Sequence, residues 1–177
     1  MKKNILSSLV LLFFVFAFSS CEEDRHLDWR YINQQWFESE RLRTDENGEK
    51  FWQETESGLL FRVINPGIGD NIYQFRPSDR SMVEIFYTGR FFNNKEFDSN
   101  LELPSEKRTH HLADFARGFS EALRMMKRNA IYEVIIPYEL AYGKEGMMGI
   151  SGITGITGIP PYSALQFRIE LINFWTE

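Results

Sequence analysis

Residues 83–100 read VEIFYTGRFFNNKEFDSN and residues 135–171 read IIPYELAYGKEGMMGISGITGITGIPPYSALQFRIEL. Together they gather aromatic and apolar groups around very few polar ones, the composition of a dry pocket. In the first stretch Val83, Ile85 and Tyr87 alternate with Glu84, Phe86 and Thr88, and a period of two is that of a half-buried strand. Gly89 is expected to break or bend it. Asn93-Asn94 stands where a hairpin needs positive backbone angles, so the chain returns through Phe97-Asp98. The second stretch ends in a strand with Leu165, Phe167, Ile169 and Leu171 on one face and Gln166, Arg168 and Glu170 on the other.

Further strand signals fall at residues 58–64, followed by an Asn65-Pro66-Gly67 turn, at 82–88, from Phe97 onward and at 131–136. Residues 113–126 form the clear internal helix, with Phe119, Leu123 and Met126 at i, i+4 and i+7. Many antiparallel strands with one amphipathic helix indicate an α+β domain whose curved sheet wraps that helix. Ahead of it, from Asp28 to about Arg43, Trp29, Ile32, Trp36 and Phe37 recur at helical spacing and mark a second helix, a brace or a stalk, stopped by Asp45-Glu46-Asn47-Gly48. A short repeat of glycine and isoleucine occupies residues 149–159 and reads as an expanded loop.

The runs YTG, FDS, FARGFSEAL, ELAYG, IPPYSAL and F-x-I-E-L, in that order, resemble the FKBP-type peptidyl-prolyl isomerases over about residues 57–174. The resemblance implies an FKBP-like fold and assigns positions in a pocket. Tyr87 and Phe97 correspond to aromatic walls, Phe119 to the floor, usually a tryptophan, and Phe167 to the far side. Asp98 corresponds to a carboxylate that orients Tyr87 or the twisted carbonyl, Tyr142 to a hydroxyl that hydrogen-bonds the substrate backbone, and Ile159 to an apolar lip. Ala116, preceded by Phe115, stands where the family carries Ile or Val; its backbone N–H survives for a substrate carbonyl while its packing on proline is reduced. The loop between Gly143 and Ile159 is longer than the common form. The resemblance also implies clients with X-Pro bonds, a pocket open to macrolide-type inhibitors, and no cofactor.

Elementary chemistry agrees that no cofactor is needed. The barrier of ~18–20 kcal/mol to rotation comes from amide resonance, lost when the bond twists. The planar state is more charge-separated than the twisted one, so a pocket poor in water and dipoles favours the twisted state in relative terms. Other constellations are weak. His26 lies near the N-terminus, and His110 and His111, adjacent in a strand, would point to opposite faces and could not share a metal. Ser99 and Ser163 have no evident histidine base nearby in sequence. Gly67-Ile68-Gly69 and Gly143-Lys144 lack the rest of any nucleotide fingerprint.

The N-terminus carries an address. Lys2-Lys3, an apolar run at residues 5–18 and then Ser19-Ser20-Cys21 have the zones of an export signal, and residues 18–21 resemble a bacterial lipobox. Residues 1–20 are therefore expected to be a lipoprotein signal peptide, with Cys21, the only cysteine, lipidated at the mature N-terminus. Residues 21–56 would be a linker with the N-terminal helix, and 57–177 the isomerase domain. The alternative is an ordinary secretory signal that leaves a free thiol. Without the two lysines of residues 1–20, 18 basic and 25 acidic side chains remain, and the formal charge falls from −5 to −7. That argues against nucleic acid as a partner. Glu22-Glu23-Asp24 is a solvated linker or an acidic tag for an outer-membrane surface. The expected protein is extracytoplasmic, lipid-anchored to a bacterial membrane, and acts on unfolded or partly folded clients. Its rivals are a non-catalytic chaperone or scaffold using the same groove, and a polysaccharide-binding lipoprotein using Trp29 and Trp36.

Overall fold

The structure, a computed structural model, describes residues 20–68, 76–105, 108–148 and 158–176, with side chains from residue 27 onward. Residues 1–19 of the proposed signal segment, the side chains of Cys21 and of the acidic tag, and residues 149–157 of the repeat lie outside what is described. In chain order the elements are α1 (Ser20–Arg41), β1 (Gln53–Glu54), β2 (Leu60–Asn65), β3 (Ser81–Arg90), β4 (Glu96–Ser99), β5 (Thr109–His111), α2 (Arg117–Met125), β6 (Ala130–Ile136) and β7 (Leu165–Thr176). Short 3-10 turns at Leu112–Asp114 and Tyr138–Leu140 lead into α2 and out of β6. Among the described residues no helix is long and apolar enough to cross a membrane.

The strands form one antiparallel sheet in the order β1-β2-β6-β7-β3-β4, with β5 also paired to β3. β3 is central. Its whole length pairs β7, while its other edge is shared by β5 near Met82 and by β4 near Thr88. In the gap between those two partners the Asn100 side chain takes over the ladder: Tyr87 N–H donates to its Oδ1 at 2.8 Å, and its Nδ2 donates to the Ile85 carbonyl at 2.9 Å. Asn100 is fully buried, as such a backbone substitute must be to escape competition from water.

α2 lies across the sheet's inner face. Phe119, Ala122, Leu123 and Met126 are buried in one cluster with Val83, Ile85, Val134, Ile136, Ile169 and Leu171, and burying each large apolar side chain is worth about 1.5–3 kcal/mol. The helix starts four residues later than its periodicity suggested, because Leu112–Asp114 is a separate turn. Ser120 Oγ donates to the Leu112 carbonyl at 2.8 Å and ties the two together. Gly118 permits the close approach, since a Cβ there would stand 2.5 Å from Ile136 Cγ2.

Two expectations need correction. Gly89 does not break β3, which runs on to Arg90; it is small because Phe97 and Phe167 lie over it. A Cβ at Gly89 would be 2.7 Å from both rings. On α1 the buried stripe is not the one the apolar residues spell: Ile32 is 43% exposed and Asn33 only 1%. Trp29 packs edge-on to Phe91 and Phe92, while Trp36 packs on the cluster of Trp52, Leu60 and Ile135. Both indoles are half-buried in packing and neither is the open platform that sugar binding would use. The Asn93-Asn94 turn is as expected, with Asn94 at φ 62°.

Candidate active site

β3, β4 and β7 bring four of the expected residues together. Gly89 is paired with Asp98 on one side and Phe167 on the other, and Tyr87 with Ile169. Paired residues, and those two apart on a strand, share a face, so Tyr87, Asp98 and Phe167 all look inward. Phe97 should then point outward as the neighbour of Asp98. It does not, because the β3–β4 register shifts between Gly89 and Arg90, where Arg90 pairs with Glu96. Phe97 is thus the extra residue of a bulge, the device by which two consecutive side chains can reach one face.

These residues line a cavity of about 140 Å³ with Phe115, Ala116, Phe119, Tyr142 and Ile159, so every pocket residue expected from the sequence borders one space. Phe119 from α2 stands edge-on to Phe167 at 5.0 Å and to Tyr87 at 5.7 Å between centroids. Phe97 meets Phe167 edge-on at 5.5 Å. These are the arrangements that the quadrupoles of aromatic rings prefer. Phe115 stacks on Phe119 at 4.7 Å with 21° between planes, which widens an aromatic floor otherwise built from one phenyl ring. Ala116 is the residue before the first turn of α2, and its backbone N–H meets no acceptor among the described residues.

The polar content of the cavity is small and organised. Tyr87 Oη donates to Asp98 Oδ2 at 2.7 Å. Burial pushes the Asp98 carboxyl above the ordinary aspartate range, opposed by hydrogen bonds from Tyr87 and the Ser99 backbone. The Tyr87 hydroxyl is raised far beyond its usual value, first by burial and then by the bond to Asp98. It therefore remains a donor at any physiological pH. Tyr142 is raised by burial and then by the charge of Asp98, so it too keeps its proton. Ile159 is buried, and a pair of backbone hydrogen bonds with Met147, 2.8 and 2.7 Å, closes the neck of the loop that precedes it.

Sequence reasoning missed Asn100, which holds β3 at Tyr87, and Asp114, Ile136, Ala141, Met147 and Leu165, which also line the cavity. An asparagine directly after FDS carries no signal of burial. Only the split partner edge of β3 reveals its use.

The family model for FKBP-type peptidyl-prolyl cis-trans isomerases matches residues 74–172. The chain is 37% identical over 119 residues to the FKBP-type 22 kDa peptidyl-prolyl cis-trans isomerase of Escherichia coli K12, covering 67% of this chain and 51% of that protein. It is 36% identical over 117 residues to the macrophage infectivity potentiator of Trypanosoma cruzi, covering 66% and 53%. The crystal structure of FkpA from Escherichia coli superposes with a TM-score of 0.69 at 25% identity, over 99% of this chain and 74% of that one. The chain spans about half the length of the two curated relatives. On the matched domain, the sheet topology and the ordered motifs, this chain belongs to the FKBP-type peptidyl-prolyl cis-trans isomerase family.

Proposed function

We propose that the protein is a peptidyl-prolyl cis-trans isomerase whose active site is the aromatic cavity. The observation that carries the reading is the combination of four phenyl rings with one hydrogen-bonded polar pair, Tyr87 and Asp98. A proline ring seated on Phe119 and walled by Tyr87, Phe97 and Phe167 is removed from water. There the dipolar planar amide loses solvation that the twisted amide needs less, and each ~1.4 kcal/mol of that difference gives about a tenfold rate gain. Asp98 orients Tyr87 through their hydrogen bond. The Tyr142 hydroxyl and the Ala116 N–H supply donors for the carbonyls that flank the X-Pro bond, and Ile159 closes over the preceding side chain. A macrolide-type inhibitor would compete for the same space.

The address is part of the proposal. Residues 1–20 are an export signal, Cys21 is lipidated, residues 21–56 brace the catalytic domain at 57–177, and the protein acts on extracytoplasmic clients from an outer-membrane anchor. What supports this is the order of charged, apolar and small residues before the single cysteine. Several acyl chains, at about 0.8 kcal/mol per buried methylene, suffice to hold a soluble domain at a bilayer.

Exchange spectroscopy on Leu-Pro and Glu-Pro tetrapeptides with the purified full-length protein tests the activity. The expected result is faster cis/trans exchange, greater for Leu-Pro because the lip and floor are apolar. Binding of the peptides with no acceleration would replace the isomerase by the non-catalytic chaperone reading, for which the small Ala116 wall is the supporting feature.

A further inference from the structure

The lip of the pocket is a poor strand. Pro160 and Pro161 offer no backbone N–H, so the segment after Ile159 cannot be held by the ladder bonds that position β3 and β7. Beyond one backbone bond, from Tyr162 N–H to the Gly143 carbonyl at 3.0 Å, its polar anchors come from α1, far away in sequence. Trp29 Nε1 donates to Ser163 Oγ at 2.9 Å, and that hydroxyl donates to the Pro160 carbonyl at 2.6 Å. Ala164 N–H donates to Asn33 Oδ1 at 3.1 Å, while Asn33 Nδ2 donates to the Trp29 carbonyl at 2.9 Å. Ser163 and Asn33 are buried.

A polar residue at the centre of a docking stripe is costly unless its bonds are made, and apolar packing alone would attach the helix more simply. The stripe therefore specifies a position as well as an attachment. Trp29 reaches the opposite wall too: it packs edge-on to Phe91, whose ring lies 4.8 Å from that of Phe97. Arg30 lies over the Tyr162 ring at 4.5 Å, and Tyr162 holds φ 59°, a conformation that a non-glycine residue keeps only when its surroundings enforce it.

We propose that Trp29 and Asn33 of α1 are positioning residues for the isomerase pocket, setting the place of the Ile159 lip through Ser163, Pro160 and Ala164, so that a docked α1 is needed for full affinity toward X-Pro segments. The proposal rests on the isomerase reading. Releasing the lip lowers the fraction of molecules ready to bind, which raises the apparent dissociation constant by the reciprocal of that fraction and leaves turnover of bound substrate alone.

The test uses full-length protein with Trp29→Phe, which keeps a ring and removes the donor, Asn33→Leu, and Ser163→Ala as the smallest change. Trp36→Phe, on the same helix but packed on the Trp52 cluster, is the control. KM and kcat on a Leu-Pro tetrapeptide are measured together with amide hydrogen exchange at Met147 and Ile159. We expect the first three variants to raise KM by up to about tenfold, the limit for one ordinary hydrogen bond, with kcat nearly unchanged, and to speed exchange at both amides about two- to tenfold. Trp29→Phe added to Ser163→Ala should cost less than the sum of the two single changes. Trp36→Phe should lower stability without either effect. Unchanged KM and amide exchange in the three variants, or the same changes in Trp36→Phe, would overturn the proposal. If the wild-type protein catalyses no exchange of the peptide, the isomerase reading falls, and amide exchange at Met147 and Ile159 still decides whether α1 positions the lip.

Discussion

Replacing Gly89 by alanine is the sharpest single probe of the pocket wall. Its φ is that of an ordinary strand residue, so alanine brings no backbone strain, and by intrinsic preference it should stabilise the strand by about 0.5–1 kcal/mol. Packing gives the opposite sign. The new methyl would stand 2.7 Å from Phe97 Cζ and 2.7 Å from Phe167 Cε1, whereas carbon atoms sit best at ~3.5–4.0 Å. Each ring must retreat by about 1 Å. Phe97 is backed by Phe91 at 4.8 Å and Phe167 by Phe119 at 5.0 Å, so the free direction is into the cavity. Overpacking of this kind costs about 1–3 kcal/mol, which outweighs the strand preference and leaves a net loss of about 1–2 kcal/mol. In urea, where m is about 1–3 kcal/mol per molar, the midpoint should fall by roughly 0.3–2 M. KM for a Leu-Pro tetrapeptide should rise at the same time, because the rings move into the proline's space. A variant as stable as the parent or more so, with KM unchanged, would refute the claim that the glycine exists for the rings.

Two further outcomes follow from the polar pair and from the N-terminus. Tyr87→Phe removes the hydrogen bond that pulls the Asp98 carboxyl down while the burial that raises it remains. The acid limb of the kcat/KM profile should therefore move to higher pH; an unmoved or lowered limb would argue against Asp98 as the functional carboxylate. The stability sign is also defined. With its folded pKa above the unfolded one, Asp98 binds more protons in the native state, so its contribution falls as pH rises from the unfolded to the folded value, and Tyr87→Phe should extend that decline upward. At the N-terminus, mass spectrometry of membrane-extracted protein should find a diacylglyceryl group on Cys21, and an unmodified thiol there would remove the lipid anchor.

What periodicity encodes is the face a residue shows, and for β3, β7 and α2 the sequence alone was sufficient. The alternation in residues 83–88 and 165–171 and the spacing of Phe119, Leu123 and Met126 name the buried sides of β3, β7 and α2 because side-chain direction follows local backbone geometry. Asn93-Asn94 likewise announced a turn through an intrinsic tolerance of positive φ. The pocket residues were legible only as ordered motifs, since no local rule puts both Phe97 and Asp98 on one face. The bulge that does so is a matter of register between β3 and β4. Asn100 as a stand-in for a strand, Gly89 as room for two rings, and Asn33 rather than Ile32 as the buried residue of α1 belong to the same class. Each is decided by a partner elsewhere in the chain, up to 131 residues away for Asn33 and Ala164. A polar side chain is stable in the interior only where such a partner completes its hydrogen bonds, and that completion exists only once the tertiary structure has formed.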